Sequence, residues 1–150
     1  MADSEFAQAM ASLADAMADA KDDWWIIGSG AVALHGADPG PMSDIDVLLS
    51  IRDLEALYKG LPLSDTRDSR KGQFLSQRFG VWSEPPMPVE FMAGFSQKID
   101  GLWREVKLNT RERIRMGDRN LFVPEKSELI SLLLQFGRPK DLMRAATLSE

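Results

Sequence analysis

The chain has 150 residues, of which 44% are hydrophobic and 27% are charged, a composition typical of one soluble globular domain. Its 18 Lys and Arg against 23 Asp and Glu give a net charge of −5, which argues against the broad positive field of a non-specific nucleic-acid-binding protein. The sequence has no cysteine, so disulfides, thiol catalysis and thiolate zinc sites are excluded. A single histidine, His35, argues against a Ser-His-Asp triad and against a His-rich metal site.

The N-terminal sequence lacks the basic start and the continuous apolar block of a signal peptide. The densest apolar run, residues 129–134, is much shorter than the roughly 20 residues that span a bilayer. We therefore expect a cytoplasmic protein with no membrane partner.

The first half of the chain alternates helical and strand patterns. Apolar residues at helical spacing predict an amphipathic helix over about residues 4–20 that packs on the core. Residues 24–27 are predicted as a short strand, followed by a sharp Gly-Ser-Gly turn and a short helix over residues 31–34. A second strand is predicted over residues 43–50, and a helix near residues 54–58 ends by Gly60.

The second half contains more strand patterns and then two helices. Residues 73–82 and 88–95 are predicted as a third and a fourth strand, and two further short strands are predicted within residues 102–123. Pro124 is expected in the first turn of an apolar helix that Gly137 terminates, and the C-terminal helices together occupy about residues 124–147. This order predicts one α+β domain over residues 1–150.

The most informative pattern opens the second strand, where two aspartates alternate with apolar residues. Side chains two apart in a strand share a face, so Asp44 and Asp46 lie on one face while Ile45 and Val47 point into the core. Two adjacent carboxylates repel each other and are costly to desolvate unless a positive charge lies between them. Mg²⁺ accepts such oxygen ligands and fills its other positions with water and phosphate. The pattern therefore indicates a Mg²⁺ (or Mn²⁺) site.

A glycine-flanked serine precedes this pair, at the point where the first strand enters a helix. Gly28, Ser29 and Gly30 are expected to present backbone N–H groups at the positive end of the helix dipole, and the serine hydroxyl can donate to a phosphate. Either motif alone is usually a turn or a solvated strand edge, whereas the combination is specific. Together they predict that a triphosphate lies between the helix end and the metal, with the Ser43 hydroxyl beside it.

Two segments carry a resemblance to a known family. The run GSGAVALHGADPGPMSDIDVLLS resembles the signature of the polymerase-beta-like nucleotidyltransferase superfamily, a Gly-Ser turn followed by Asp-x-Asp. The later FVPEKSELISLLLQFGRPKD is similar to a segment of its small bacterial branch, which contains aminoglycoside and lincosamide nucleotidyltransferases and toxin-like relatives. The resemblance covers about residues 24–142. It implies a nucleotidyltransferase-like mixed β-sheet flanked by helices, with Asp44 and Asp46 as catalytic metal ligands.

The resemblance also implies a third carboxylate on a neighbouring strand. Glu90 is the candidate because it is the only charged residue in residues 87–95, and an ionised group in an apolar strand needs a partner. It would complete the metal site or act as a general base. The alternatives are a Glu90 side chain that faces solvent, and Glu84, which is the weaker candidate because the prolines after it suggest a loop.

The sequence departs from its relatives in its cations. Residues 41–43 contain a hydroxyl but no Arg, and Leu133 lies near the position where relatives carry Lys. Two clusters are candidates to compensate, although such charge runs are more often a solvated face: Arg67, Arg70 and Lys71, and Arg111, Arg113 and Arg115. Arg138 and Lys140 are predicted to pair with Asp141 at a helix start.

Three functions remain open from the sequence. The first is Mg²⁺-dependent transfer of a nucleoside monophosphate from an NTP to a hydroxyl of an unidentified small molecule or protein. The second is a nucleotidyltransferase toxin, with an antitoxin partner and with tRNA or protein as its acceptor. The third is a degenerate nucleotide-binding module without turnover. Because the chain is short for its group, we expect a homodimer or a partner to complete the acceptor pocket.

Overall fold

The computed structural model describes residues 4–66 and 72–150, which form five helices and seven strands. In chain order these are α1 Ser4–Ala16, β1 Trp25–Ile27, α2 Gly28–Leu34, β2 Ile45–Leu49, α3 Ile51–Gly60, β3 Phe74–Trp82, β4 Val89–Ile99, β5 Leu102–Glu105, β6 Glu112–Met116, β7 Arg119–Val123, α4 Lys126–Phe136 and α5 Pro139–Ser149. Within those ranges, no helix combines the length and the hydropathy that crossing a bilayer requires.

The main sheet has the strand order β1-β2-β4-β3, and β5 pairs with the far end of β4. Strands β2 and β4 are parallel, whereas the other pairs are antiparallel, so the sheet is mixed. Strands β6 and β7 form a separate hairpin. The predicted α+β fold with a mixed sheet and flanking helices is confirmed.

The sheet is apolar on both faces, but only one face is covered completely. On the covered face, Ile45, Val47 and Phe91 are fully buried in the main core together with Met10 and Leu13 of α1. The opposite face carries a smaller apolar cluster, in which side chains of β1, β2 and β4 meet those of α4. The polar side chains described below project from this second face.

Two helices differ from the sequence prediction at their ends. Helix α1 ends at Ala16 rather than at residue 20, because the amides of Ala18 and Ala20 bond to carbonyls three residues back instead of four. Helix α2 begins at Gly28 itself, whose φ of +65° makes the turn, so Ser29 and Gly30 are already helical.

The region predicted to hold two short strands contains three. Asp100 and Gly101 have φ values of +52° and +79°, and Ile99 pairs with Leu102 across them, so β4 and β5 form a hairpin with a two-residue loop. Farther along, α4 begins at Lys126, so Pro124 precedes the helix rather than occupying its first turn.

Gly94 changes which side chains of β4 face the smaller apolar cluster. Met92 lies in that cluster, and regular alternation would turn Phe95 to the other face. Gly94 has a φ of +60°, and Phe95 instead packs beside Met92 in the same cluster. A Cβ at this position would lie 2.7 Å from Cγ and Cδ of Gln77. The glycine is therefore required both by backbone conformation and by the neighbouring strand.

We predict that Gly94→Ala lowers the free energy of unfolding by about 1–3 kcal/mol, because alanine is strained at positive φ and its methyl group contacts Gln77. Gly60→Ala is the control, since a Cβ there has no neighbour within 4 Å. Urea unfolding of both variants measures the difference. Equal stability of the two variants would contradict this role of Gly94.

Candidate active site

Three carboxylates from two strands converge on the second face of the sheet. One oxygen from each of Asp44, Asp46 and Glu90 lies within 4.8 Å of the others, and all three residues are half-buried. Strand register explains the convergence, because Asp46 of β2 lies directly opposite Glu90 of the parallel strand β4. Asp44 lies one residue before β2 and not inside it. The structure thus brings the three predicted acidic residues together.

Glu84, the weaker sequence candidate, is not part of this cluster. Its Oε1 accepts a hydrogen bond of 3.1 Å from Nε1 of Trp82, at the end of β3. Its carboxylate is therefore engaged by the tryptophan two residues before it.

The two glycines of the Gly-Ser-Gly turn have different surroundings. A Cβ on Gly28 would lie 3.1 Å from Oδ2 of Asp46, so the absence of a side chain lets the backbone approach the carboxylate cluster. A Cβ on Gly30 would instead meet Ile26 at 3.1 Å and Met10 at 3.2 Å. Gly30 therefore allows α2 to pack closely on β1 and α1, and Gly28 is the glycine that faces the cluster.

The two candidate serines differ in exposure. Ser29 lies in the first turn of α2 with 7% of its surface exposed, whereas Ser43 is exposed and directly precedes Asp44. Both belong to segments that border the carboxylates, and their contact with a nucleotide stays a prediction.

A cleft of about 520 Å³ lies on the second face of the sheet, and Asp46 and Glu90 are among the residues that line it. Most of its wall is apolar and is supplied by Ile27, Phe74, Leu75, Phe79, Met92, Phe95, Trp103 and Phe136. Three of the rings pack on one another, with centroids 5.4 Å apart for Phe74 and Phe95 and 5.0 Å apart for Phe74 and Phe136. The cleft is therefore a preformed aromatic pocket with carboxylates at one end.

Arg138 also lines this cleft, a position that the sequence analysis missed. Its Nε and Nη2 donate hydrogen bonds of 2.6 and 3.1 Å to Asp141, which is 1% exposed, so the predicted ion pair at the start of α5 is present. Gly137, with a φ of +73°, ends α4 immediately before this arginine. The guanidinium carbon lies 5.1 Å from the centre of the Phe74 ring. The pair with Asp141 therefore fixes a cation beside the aromatic wall.

The other predicted cations do not join the carboxylate cluster in the described part of the chain. Arg111 stacks on Phe122 at 3.5 Å, forms an ion pair with Asp23 at 3.2 Å and donates to the carbonyl of Trp24. Burial lowers the pKa of Arg111 from its usual value. Arg113 and Arg115 lie on the separate β6–β7 hairpin. The interpretation of this second cluster as phosphate-binding cations is therefore not supported.

The first cation cluster, Arg67, Arg70 and Lys71, lies outside the described residues. The Nε2 atom of His35 lies 2.8 Å from the carbonyl oxygen of Pro124, so the ring links the end of α2 to the segment before α4.

Several solved structures have a similar fold, among them the following three. A protein of Thermotoga maritima, provisionally described as a nucleotidyltransferase, is 20% identical, with a TM-score of 0.70 over 97% of this chain and 91% of its own. The antibiotic-resistance factor ANT(2'')-Ia is 12% identical, with a TM-score of 0.61 over 97% of this chain and 83% of its own. The lincosamide antibiotic adenylyltransferase LnuA, bound to lincomycin, is 13% identical, with a TM-score of 0.61 over 95% of both chains.

This chain has the nucleotidyltransferase fold. The similarity predicted from the two sequence segments is thereby confirmed at the level of fold. No family model matches the sequence, and no curated protein sequence matches it significantly.

We predict that Gly28→Ala weakens Mn²⁺ binding about tenfold, because the added methyl group displaces the Asp46 carboxylate that lies 3.1 Å away. Gly36→Ala is the matched control: Gly36 also has a positive φ, of +85°, but a Cβ there would have no neighbour within 4 Å. Both variants should lose similar stability. Electron paramagnetic resonance titration with Mn²⁺ measures the affinities, and an equal loss of affinity in the two variants would refute the specific role of Gly28.

Proposed function

We propose that this protein is a Mg²⁺-dependent nucleotidyltransferase that transfers a nucleoside monophosphate from an NTP to a hydroxyl group of a small molecule. The observation that carries the proposal is the group of three carboxylates within 4.8 Å of one another, beside Gly28, on the nucleotidyltransferase fold.

The residues present fit a hard divalent cation. All three donors are carboxylates, which Mg²⁺ and Mn²⁺ accept as ligands, and none is a softer nitrogen or sulfur ligand. Three negative charges this close repel one another, and a bound cation removes that repulsion. Asp44, Asp46 and Glu90 would hold the ion, which when bound supplies positive charge to the phosphate oxygens.

Other groups of the chain would contact the phosphates and the acceptor hydroxyl. The backbone at Gly28 allows a phosphate to approach, and the hydroxyls of Ser29 and Ser43 donate to phosphate oxygens. The acceptor oxygen forms a bond to the α-phosphorus while the bond from that phosphorus to the departing pyrophosphate breaks. Glu90 borders the cleft, so its carboxylate would either complete the metal site or accept the proton of the acceptor hydroxyl.

The size of the cleft is compatible with a small-molecule acceptor. Its volume of about 520 Å³ lies in the usual range of small-ligand sites, about 300–1,000 Å³. Two proteins of similar fold also act on small molecules, since one was solved with lincomycin and ANT(2'')-Ia with adenylyl-2''-tobramycin. The toxin-type acceptor, the homodimer and the cytoplasmic location remain predictions from the sequence.

We predict that Asp46→Asn weakens Mg²⁺-dependent binding of α,β-methylene-ATP about 100-fold or more. Loss of a residue that only hydrogen-bonds to a metal ligand already lowers metal affinity about 10–100-fold, and loss of the ligand itself should lower it further. Asp44→Asn should behave similarly, and Glu84→Gln is the control because its carboxylate is engaged with Trp82. Isothermal titration calorimetry measures the binding. Unchanged affinity in both aspartate variants would refute the proposed site.

Pyrophosphate release from MgATP, measured with a panel of hydroxyl compounds, tests turnover separately. The proposal expects release that depends on both the acceptor and Asp46. Tight MgATP binding without release for any acceptor would instead indicate a nucleotide-binding module that has lost turnover.

A further inference from the structure

The aromatic part of the cleft lies beyond the carboxylates as seen from the Gly28 turn, although Ile27, directly before Gly28, also lines the cleft. Across the sheet the order is β1, β2, β4 and β3, and Ile27, Asp46 and Glu90 occupy neighbouring register positions on the first three strands. Gly28 follows β1, whereas the walls of the cleft come mainly from β4 and β3 and from the region around α4. In-line displacement requires the attacking and departing oxygens on opposite sides of the phosphorus. A triphosphate at the Gly28 turn therefore leaves the cleft to the acceptor.

The walls of the cleft match an aromatic ligand. Phe74, Phe95 and Phe136 form a packed group of rings, and Met92 extends this surface towards Glu90. A ring that binds there makes offset and edge-on contacts with the phenylalanines, and these contacts add binding energy to that of the buried apolar area.

The mouth of the cleft leaves apolar surface exposed to water. Trp103 is 45% exposed and Leu75 is 49% exposed, and both line the cleft. An apolar ligand would cover these side chains and gain binding free energy by removing apolar surface from water. A strongly hydrated ligand would not gain this energy.

With Asp46 and Glu90 assigned to the metal, the charged side chain left on the described walls of the cleft is Arg138. Within the described part of the chain, the carboxylates that line the cleft are Asp46 and Glu90, both of which the proposed function assigns to the metal. The cation on the described walls is Arg138, and its bonds to Asp141 use Nε and Nη2. The Nη1 group takes no part in those two bonds. The buried carboxylate of Asp141 holds the guanidinium in one orientation. An acidic group is the ligand chemistry that such an arginine binds.

We propose that this cleft is the acceptor site, and that the acceptor is an aromatic hydroxyl compound that carries one acidic group. The inference rests on the proposed function for the position of the nucleotide. The apolar walls bind the ring, Arg138 binds the acidic group, and the hydroxyl lies at the carboxylate end of the cleft.

The test uses two fluorescent probes that differ by one charged group. The first is 8-anilinonaphthalene-1-sulfonate, an aromatic anion, and the second is N-phenyl-1-naphthylamine, which lacks the sulfonate. Fluorescence titration of the full chain gives the dissociation constant of each probe. We expect the anion to bind about tenfold more tightly than the neutral probe, because of the charge-assisted hydrogen bond to Arg138.

Two pairs of variants locate the binding. Trp103→Ala should weaken both probes about tenfold through loss of an aromatic contact, whereas Leu102→Ala, at the neighbouring exposed position of β5, should change neither. Arg138→Gln should abolish the preference for the anion, whereas Lys140→Gln removes the same charge two residues away and should preserve it. Since the preference compares two probes on one variant, it does not depend on the stability of that variant.

Competition experiments distinguish an acceptor site from other uses of the cleft. The anionic probe should bind with less than about twofold change in affinity when Mg²⁺ and α,β-methylene-ATP are present, and tobramycin, a polycation, should not displace it. Displacement by the nucleotide would overturn the inference by making the cleft the nucleobase pocket. Displacement by tobramycin, absence of probe binding, or equal effects of Trp103→Ala and Leu102→Ala would overturn it as well. Mg²⁺-dependent nucleotide binding, measured separately, reports on the proposed function alone.

Discussion

The mutual repulsion of three carboxylates, held together by the parallel pairing of β2 and β4, is the constraint on which the account of this site depends. Asp46 and Glu90 occupy the same register position on two adjacent strands, and Asp44 precedes the first of them. The other faces of these strands are fixed by fully buried side chains such as Val47 and Phe91. The backbone positions of Asp46 and Glu90 are therefore fixed by the core, and a divalent cation bound between the carboxylates would lower their repulsion.

The same register separates two environments on one face of the sheet. At Gly28 the backbone comes close to Asp46, because any side chain there would contact the carboxylate. Beyond Glu90 the surface becomes aromatic, and Gly94 contributes by bringing Phe95 to the side of Met92. The turn at Gly28 and the apolar cleft thus border one cluster of carboxylates, which is the arrangement that the proposed transfer would use.

The local parts of this arrangement were readable from the sequence, and the parts made by tertiary packing were not. Strand periodicity predicted that Asp44 and Asp46 share a face, and the two sequence segments predicted the fold. The Asp100-Gly101 dipeptide is a strong hairpin signal that the sequence analysis passed over. The place of Arg138 in the cleft follows from how α5 packs after α4, and the aromatic wall joins residues from separate elements. The spacing of residues along the sequence does not predict such tertiary contacts.

Anomalous diffraction from crystals grown with Mn²⁺ and α,β-methylene-ATP would show where the cation and the triphosphate bind. We expect a manganese peak at about 2.0–2.3 Å from oxygens of Asp44 and Asp46, the bond lengths expected of small divalent cations, with triphosphate density between the peak and Gly28. A manganese peak away from these aspartates, or nucleotide bound without contact to them, would contradict the proposed site.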